Sequence, residues 1–207
     1  ISDHIIDVDT ITSTVEKRRT CAWYEPFENF YDGILQVANM RSFFKEHSAG
    51  FHTAQAKGIW KEYTESYYQM DTYYRLFHLS FQKSLETSNI LLDDLFKHVV
   101  DKVEGLYTHW FLGELGNNWS DVCADELAAY GKVLEVPQQE EFYSSRIKTS
   151  DTKVFVIISD AMRYEVAAAM AEQLQRETQS KVSISSMQSI IPSITKFGMA
   201  ALLPHKE

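Results

Sequence analysis

Between Trp60 and Phe81 the apolar positions Trp60, Tyr63, Tyr67, Met70, Tyr74, Phe77 and Phe81 recur at alternating spacings of three and four. That period puts all seven on one side of a helix and predicts an amphipathic helix over about residues 57–85. Leu92, Leu95, Phe96, Val99, Val103, Leu106 and Trp110 repeat the pattern after the turn-prone Thr87-Ser88-Asn89, and Phe27, Phe30, Tyr31, Ile34 and Ala38 start it earlier, just after Pro26. The four prolines stand at 26, 137, 192 and 204, so residues 27–136 are free of the strongest helix breaker. Long helices packed antiparallel are the expected arrangement for this part of the chain.

After Pro137 the pattern changes. Residues 138–148 read as a polar-rimmed helical stretch and Ser150-Asp151-Thr152 as a turn. Residues 153–158 form a short, β-branched, continuously apolar run of the kind buried on both faces of a parallel sheet, which predicts a strand. Ser159-Asp160 follows, then a helical stretch in which Met162, Val166, Met170 and Leu174 repeat every fourth residue. A second strand is expected over 181–187, where polar and apolar residues alternate, and a short apolar helix over 197–203, stopped by Pro204.

Composition narrows the class. With 207 residues, 44% of them hydrophobic, the chain can bury one good core or two small ones. No apolar run reaches the ~18 residues needed to cross a bilayer, and the first residues carry no signal-peptide pattern. A soluble, cytoplasmic protein is expected. The start at Ile1 and the stop at Glu207 suggest a piece of a longer protein.

Charge and aromatic residues are unevenly spread. The net charge of −9 comes from residues 1–150, which hold 23 acidic and 14 basic side chains against 6 of each afterwards, so unaided binding of a phosphate backbone by this piece is disfavoured. Of the 27 aromatic residues, 24 lie in residues 1–150; at helical spacing, and without a cationic groove, they read as core rather than as a base-stacking platform. Cys21 and Cys123 imply neither a disulfide framework nor a zinc knuckle. His4, His47, His52, His78, His98 and His109 make no i, i+4 ligand pair.

Two residues carry candidate chemistry. Asp160 falls at the carboxyl end of the first expected strand, where side chains of an open α/β sheet face the ligand crevice, and a carboxylate there is a hard ligand for a divalent cation. It would serve equally as the N-cap of a helix starting at Ala161. Thr195 opens a short helix, where a hydroxyl caps the helix or, next to a metal ion, attacks phosphorus.

The strings Val156-Ile157-Ile158-Ser159-Asp160-Ala161-Met162-Arg163-Tyr164-Glu165 and Ile191-Pro192-Ser193-Ile194-Thr195-Lys196-Phe197-Gly198-Met199-Ala200-Ala201-Leu202-Leu203-Pro204-His205 together resemble the opening of the PglZ domain of BREX phage-resistance systems. That domain belongs to the alkaline phosphatase superfamily. The upstream runs Tyr68-Gln69-Met70-Asp71-Thr72-Tyr73-Tyr74-Arg75 and Tyr107-Thr108-His109-Trp110-Phe111 resemble the region before it, so the likeness covers nearly the whole chain. By that resemblance Asp160 is a metal ligand and Thr195 both metal ligand and catalytic nucleophile, with Ser193 as fallback. Arg163 is a candidate phosphate contact, with an exposed or ion-paired helix arginine as its plain reading. Two divalent ions, commonly zinc, serve the superfamily in a two-metal arrangement. The remaining Asp and His ligands come from downstream strands that the chain does not include, and nothing in the spacing of His205 matches them; the piece alone is expected to be inactive.

The expected architecture is α + α/β: a helical domain over 1–148, then the first part of an alkaline-phosphatase-like parallel-sheet domain over 149–207. The implied function is hydrolysis of phosphoester bonds within a BREX complex, alongside other BREX proteins. The alternative is a non-catalytic scaffold that docks those components. A haloacid-dehalogenase-type site needs an Asp where Met162 stands, a receiver domain wants an acidic pair ahead of its Asp and a shorter chain, and a dinucleotide fold needs glycines absent from Ser159–Glu165. A truncated sheet also leaves an apolar strand edge open to self-association.

Overall fold

The computed structural model describes residues 7–86 and 90–204, with side chains from 97 onward in the second stretch. The turn expected at 87–89, His4, His205 and the side chains of Leu92, Leu95 and Phe96 lie outside the described set. The chain is mostly helical: α1 Val8–Arg19, α2 Glu28–Glu46, α3 Ala56–Glu62, α4 Tyr68–Glu86, α5 Ile90–Glu104, α6 Gly113–Tyr130, α7 Tyr164–Glu177 and α8 Thr195–Ala201. Wide π-helical turns at Tyr63–Tyr67 and Gly105–Leu112 join α3 to α4 and α5 to α6. The described residues gather in two compact units, one of residues 7–52, 67–86 and 90–118, the other of residues 53–66 and 119–204.

In the first unit α2 packs along α4 and α1 along α2. Asp7 caps α1, accepting from the Thr10 backbone N–H at 2.7 Å, while Ile11 and Val15 bury against Ala38. Met40, Met70, Phe77 and Phe111 are fully buried. The aromatic residues pack on one another: Phe43 meets Tyr67 and Phe111 edge-on at centroid distances of 6.0 and 5.8 Å, and Phe51 meets Tyr67 at 4.9 Å. Such edge-to-face pairs add to the burial of large side chains.

The two upstream motifs meet in this unit. Tyr107 O–H donates to the buried Asp71 carboxylate at 2.5 Å, and the Tyr107 ring stacks on Tyr74 with centroids 3.8 Å apart. Tyr74 O–H in turn donates to Glu104 at 2.9 Å. His78 Nε2 lies 2.9 Å from the same Glu104 oxygen but off the line of a hydrogen bond.

In the second unit Ala56, Cys123, Val133 and Val136 form a small core covered by Trp60, Trp119, Val122 and Leu127. Trp60 Nε1–H donates to Ser186 Oγ at 2.8 Å. Burial pushes the Cys123 thiol up to about 11, with Glu126 adding a smaller push. The seven-residue stripe read from the sequence is therefore divided: Trp60 serves this core, whereas Tyr67, Met70 and Phe77 are buried in the first unit. The π-helical turn at Tyr63–Tyr67 lies at the division.

The expected parallel sheet is not formed among the described residues. Neither 153–158 nor 181–187 is paired as a strand, and the isolated β-bridge is a parallel one between Gln138 and Gln188. A strand exists through its neighbour's hydrogen bonds. Without one, the apolar run stays exposed, with Phe155 at 78% and Ile157 at 93% of full exposure. The stretch 138–148 is two short turns, a 3₁₀ turn at Gln139–Glu141 and a π turn at Tyr143–Ile147, instead of a regular helix.

A candidate phosphoryl-transfer site

Asp160 ends the exposed apolar run at a sharp turn. Ala161 has φ 56°, in the left-handed region that disfavours an L side chain. This conformation stops any helix from starting at Ala161, so α7 begins at Tyr164 with Arg163 as its N-cap residue. The capping role open to Asp160 is not taken up. Its carboxylate instead accepts from the Ala161 N–H at 3.0 Å, which fixes its direction locally. The stripe of Met162, Met170 and Leu174 remains exposed, with Met162 ahead of the helix.

Thr195 is the first helical residue of α8, and the N-cap position belongs to Ile194, which makes no side-chain cap. The Thr195 hydroxyl is thereby left for another partner. Thr195 Oγ1–H points at both carboxylate oxygens of Asp160, at 3.2 and 3.4 Å, across 35 residues of chain. Both residues are exposed. It is Thr195, and not Ser193, whose hydroxyl meets Asp160.

Residues upstream of both loops hold them in place. Tyr164, four residues after Asp160, donates through its O–H to the Thr64 carbonyl at 3.1 Å, with its ring 6.0 Å from that of Tyr63. A π-helical turn leaves carbonyls outside the regular i to i−4 ladder, and Thr64 lies in one. Gln139 accepts from the Ile190 N–H at 3.2 Å and donates to the Gly198 carbonyl at 3.3 Å, on either side of Thr195. Gln188 accepts from the Val133 N–H at 2.9 Å, and Gln138 donates to the carbonyls of Val133 and Val136, both at 2.7 Å. Sequence patterning missed these glutamines and Tyr164, because a polar residue that ties loops together leaves no periodic mark.

A carboxylate and a hydroxyl are hard oxygen donors. Two oxygens on one tetrahedral zinc at about 2.0–2.2 Å stand about 3.3–3.6 Å apart. The observed spacing is close to that, so the pair fits as part of a donor set. Among the described residues no group of three His, Cys, Asp or Glu side chains gathers anywhere.

Residues 143–207 match the model of the BREX system PglZ alkaline phosphatase-like domain. This stretch is similar to the PglZ domain. It is 32% identical over 205 residues to the alkaline phosphatase-like protein PglZ of Bacillus cereus, a match that takes in 98% of this chain and 23% of that protein. It is 30% identical over 211 residues to the alkaline phosphatase-like protein BrxZ of Escherichia coli, again with 98% of this chain and 24% of the relative. The chain thus spans about a quarter of the length of these relatives. The helices before residue 143 are included in both likenesses, so Asp71, Tyr107 and Gln139 lie in a segment shared with PglZ proteins beyond the matched domain. No solved structure is matched. No described helix is long and apolar enough to cross a membrane.

Proposed function

We propose that this chain is the helical region, 1–148, and the opening of the phosphatase domain, 149–207, of a metal-dependent phosphatase or phosphodiesterase acting with other proteins of a cytoplasmic BREX system. The observation that carries this reading is the 3.2 Å approach of Thr195 Oγ1 to the Asp160 carboxylate, on two loops that sequence alone separates by 35 residues. The likeness of residues 143–207 to the PglZ alkaline phosphatase-like domain supports the chemical class.

In this reading Asp160 and Thr195 hold a divalent ion, commonly zinc in the superfamily, together with ligands from parts of the parent protein not included here. When bound, the metal lowers the pKa of the Thr195 hydroxyl and offsets charge on the phosphoryl oxygens. Thr195 Oγ1 gives up its proton to solvent water and forms a bond to phosphorus, while the bond from phosphorus to the leaving oxygen breaks and that oxygen takes a proton from water. Water then attacks the phosphothreonine, releasing phosphate or a phosphomonoester and returning the hydroxyl. Asp160, its own carboxylate fixed by the Ala161 N–H, aims the Thr195 hydroxyl before its proton leaves. The chain alone, with two donors, is inactive.

The test is hydrolysis of phosphomonoester and phosphodiester substrates by the full-length protein, with and without added zinc, compared with Asp160→Ala and Thr195→Ala. Metal-dependent turnover that both substitutions abolish is the expected result. Well-folded, metal-loaded protein that stays inert across such substrates overturns the hydrolase reading and leaves a scaffold that docks BREX components.

A further inference from the structure

We propose that Gln139 is a positioning residue for Thr195, supplied by the segment ahead of the matched phosphatase domain. The inference deepens the proposed function and rests on Thr195 being its nucleophile.

Gln139 lies four residues before the stretch that matches the PglZ domain. Its carboxamide touches the Thr195 loop on both sides. On the amino side Oε1 accepts from the Ile190 N–H, and on the carboxyl side Nε2 donates to the Gly198 carbonyl. The seven residues between those points include Thr195 and the Ile191-Pro192 bond. The Gln139 backbone N–H also donates to the Gln188 carbonyl at 2.8 Å, so the side chain is rooted in the same bridge that it extends.

A planar amide that donates and accepts at once fixes both a distance and a direction. Glutamine and asparagine are the side chains that carry this amide, and asparagine is a methylene shorter. The fit on the far side is close. A methyl group at Gly198 would stand 3.4 Å from Gln139 Nε2, at the near edge of ordinary van der Waals contact. Thr195 itself is exposed and its hydroxyl meets the Asp160 carboxylate at 3.2 and 3.4 Å, so its aim depends on the loop. Displacing a reacting atom by about 1 Å lowers a rate by up to about 100-fold.

The experiment uses the full-length protein, with Gln139→Ala, Gln139→Glu and, as a control on the same turn, Glu140→Ala. Glu140 pairs with Lys132 at 2.6 Å and touches neither side of the loop. Amide exchange is followed at Ile190 and over α8, and kcat and KM are measured on a phosphodiester with zinc. Gln139→Ala is expected to speed exchange at Ile190 at least tenfold and to lower kcat about tenfold or more at unchanged KM. Gln139→Glu retains the acceptor, so Ile190 stays protected, but it loses the donor to Gly198 and falls between. Glu140→Ala matches the parent in every readout. Unchanged exchange at Ile190 and α8 in Gln139→Ala overturns the positioning role whatever the activity, as does faster exchange with full kcat. If the parent protein itself shows no turnover while Gln139→Ala loosens the loop, the hydrolase reading fails and the structural tie stands.

Discussion

Replacing Tyr107 with phenylalanine removes one oxygen from the middle of the first unit and leaves the ring. Tyr107 is 4% exposed and Asp71 is 2% exposed, and the hydroxyl reaches the carboxylate at 2.5 Å. A buried hydrogen bond to a charged group contributes about 1.5–3 kcal/mol. The stacking of the ring on Tyr74 survives the change, so the loss is confined to the polar contact. For a chain of this size each kcal/mol moves the melting temperature by about 2–4 °C, which gives an expected fall of about 3–12 °C. Calorimetry reads the fall, and native-state amide exchange along α4 shows which unit loses it. Asp71→Asn and the double variant close the cycle, with an expected coupling of about 1–2 kcal/mol. A Tyr107→Phe protein within about 0.5 kcal/mol of the parent would refute the claim that this contact joins the two upstream motifs energetically.

Other outcomes follow from the same structure. The isolated chain is expected to self-associate through residues 153–158, and Ile157→Lys, at a position 93% exposed, should restore a monomer by light scattering; association unaffected by the substitution would place the contact elsewhere. Cys21 should react with iodoacetamide at pH 8 well before Cys123, whose thiol is fully buried and pushed up to about 11, and equal rates would contradict the packing of the small core. The Thr10 backbone N–H holds the Asp7 carboxyl below its ordinary value, so the cap supports α1 above the unfolded-state pKa and is lost as pH falls through the lower folded value. An NMR titration of Asp7 at or above the ordinary aspartate value would remove that support.

The helices were legible where one apolar stripe faces one core. The stripe from Trp60 to Phe81 predicts helix over 57–85 and the structure gives helix with one π turn over 56–86. Periodicity could not show that Trp60 and Met70 serve different cores, because a period fixes the side of a helix and not what lies against it. α1 left a fainter mark, since Ile11 and Val15 are its buried residues. The strands at 153–158 and 181–187 were read from composition, but a strand needs neighbouring backbone as well as suitable side chains, and none pairs with them here. At the candidate site, Asp160 and Thr195 were singled out for their residue type and place, each with helix capping as a rival role. Neither caps a helix, and the two are neighbours in space. The glutamines that tie the loops together were invisible to patterning, which weighs apolar spacing and says nothing of a carboxamide bridging two distant backbones.

The left-handed backbone at Ala161 separates two properties that most acidic sites bind together. The direction of the Asp160 side chain is set by the main chain beside it, through the turn at φ 56° and the Ala161 N–H. Its charge resides in the carboxylate alone. Asparagine at 160 would therefore change charge while keeping aim, and glycine at 161, which takes up a left-handed turn without penalty, would ease the turn while keeping both. Charge at this position can thus be altered without moving the side chain, a separation closed to an aspartate aimed only by its ligand.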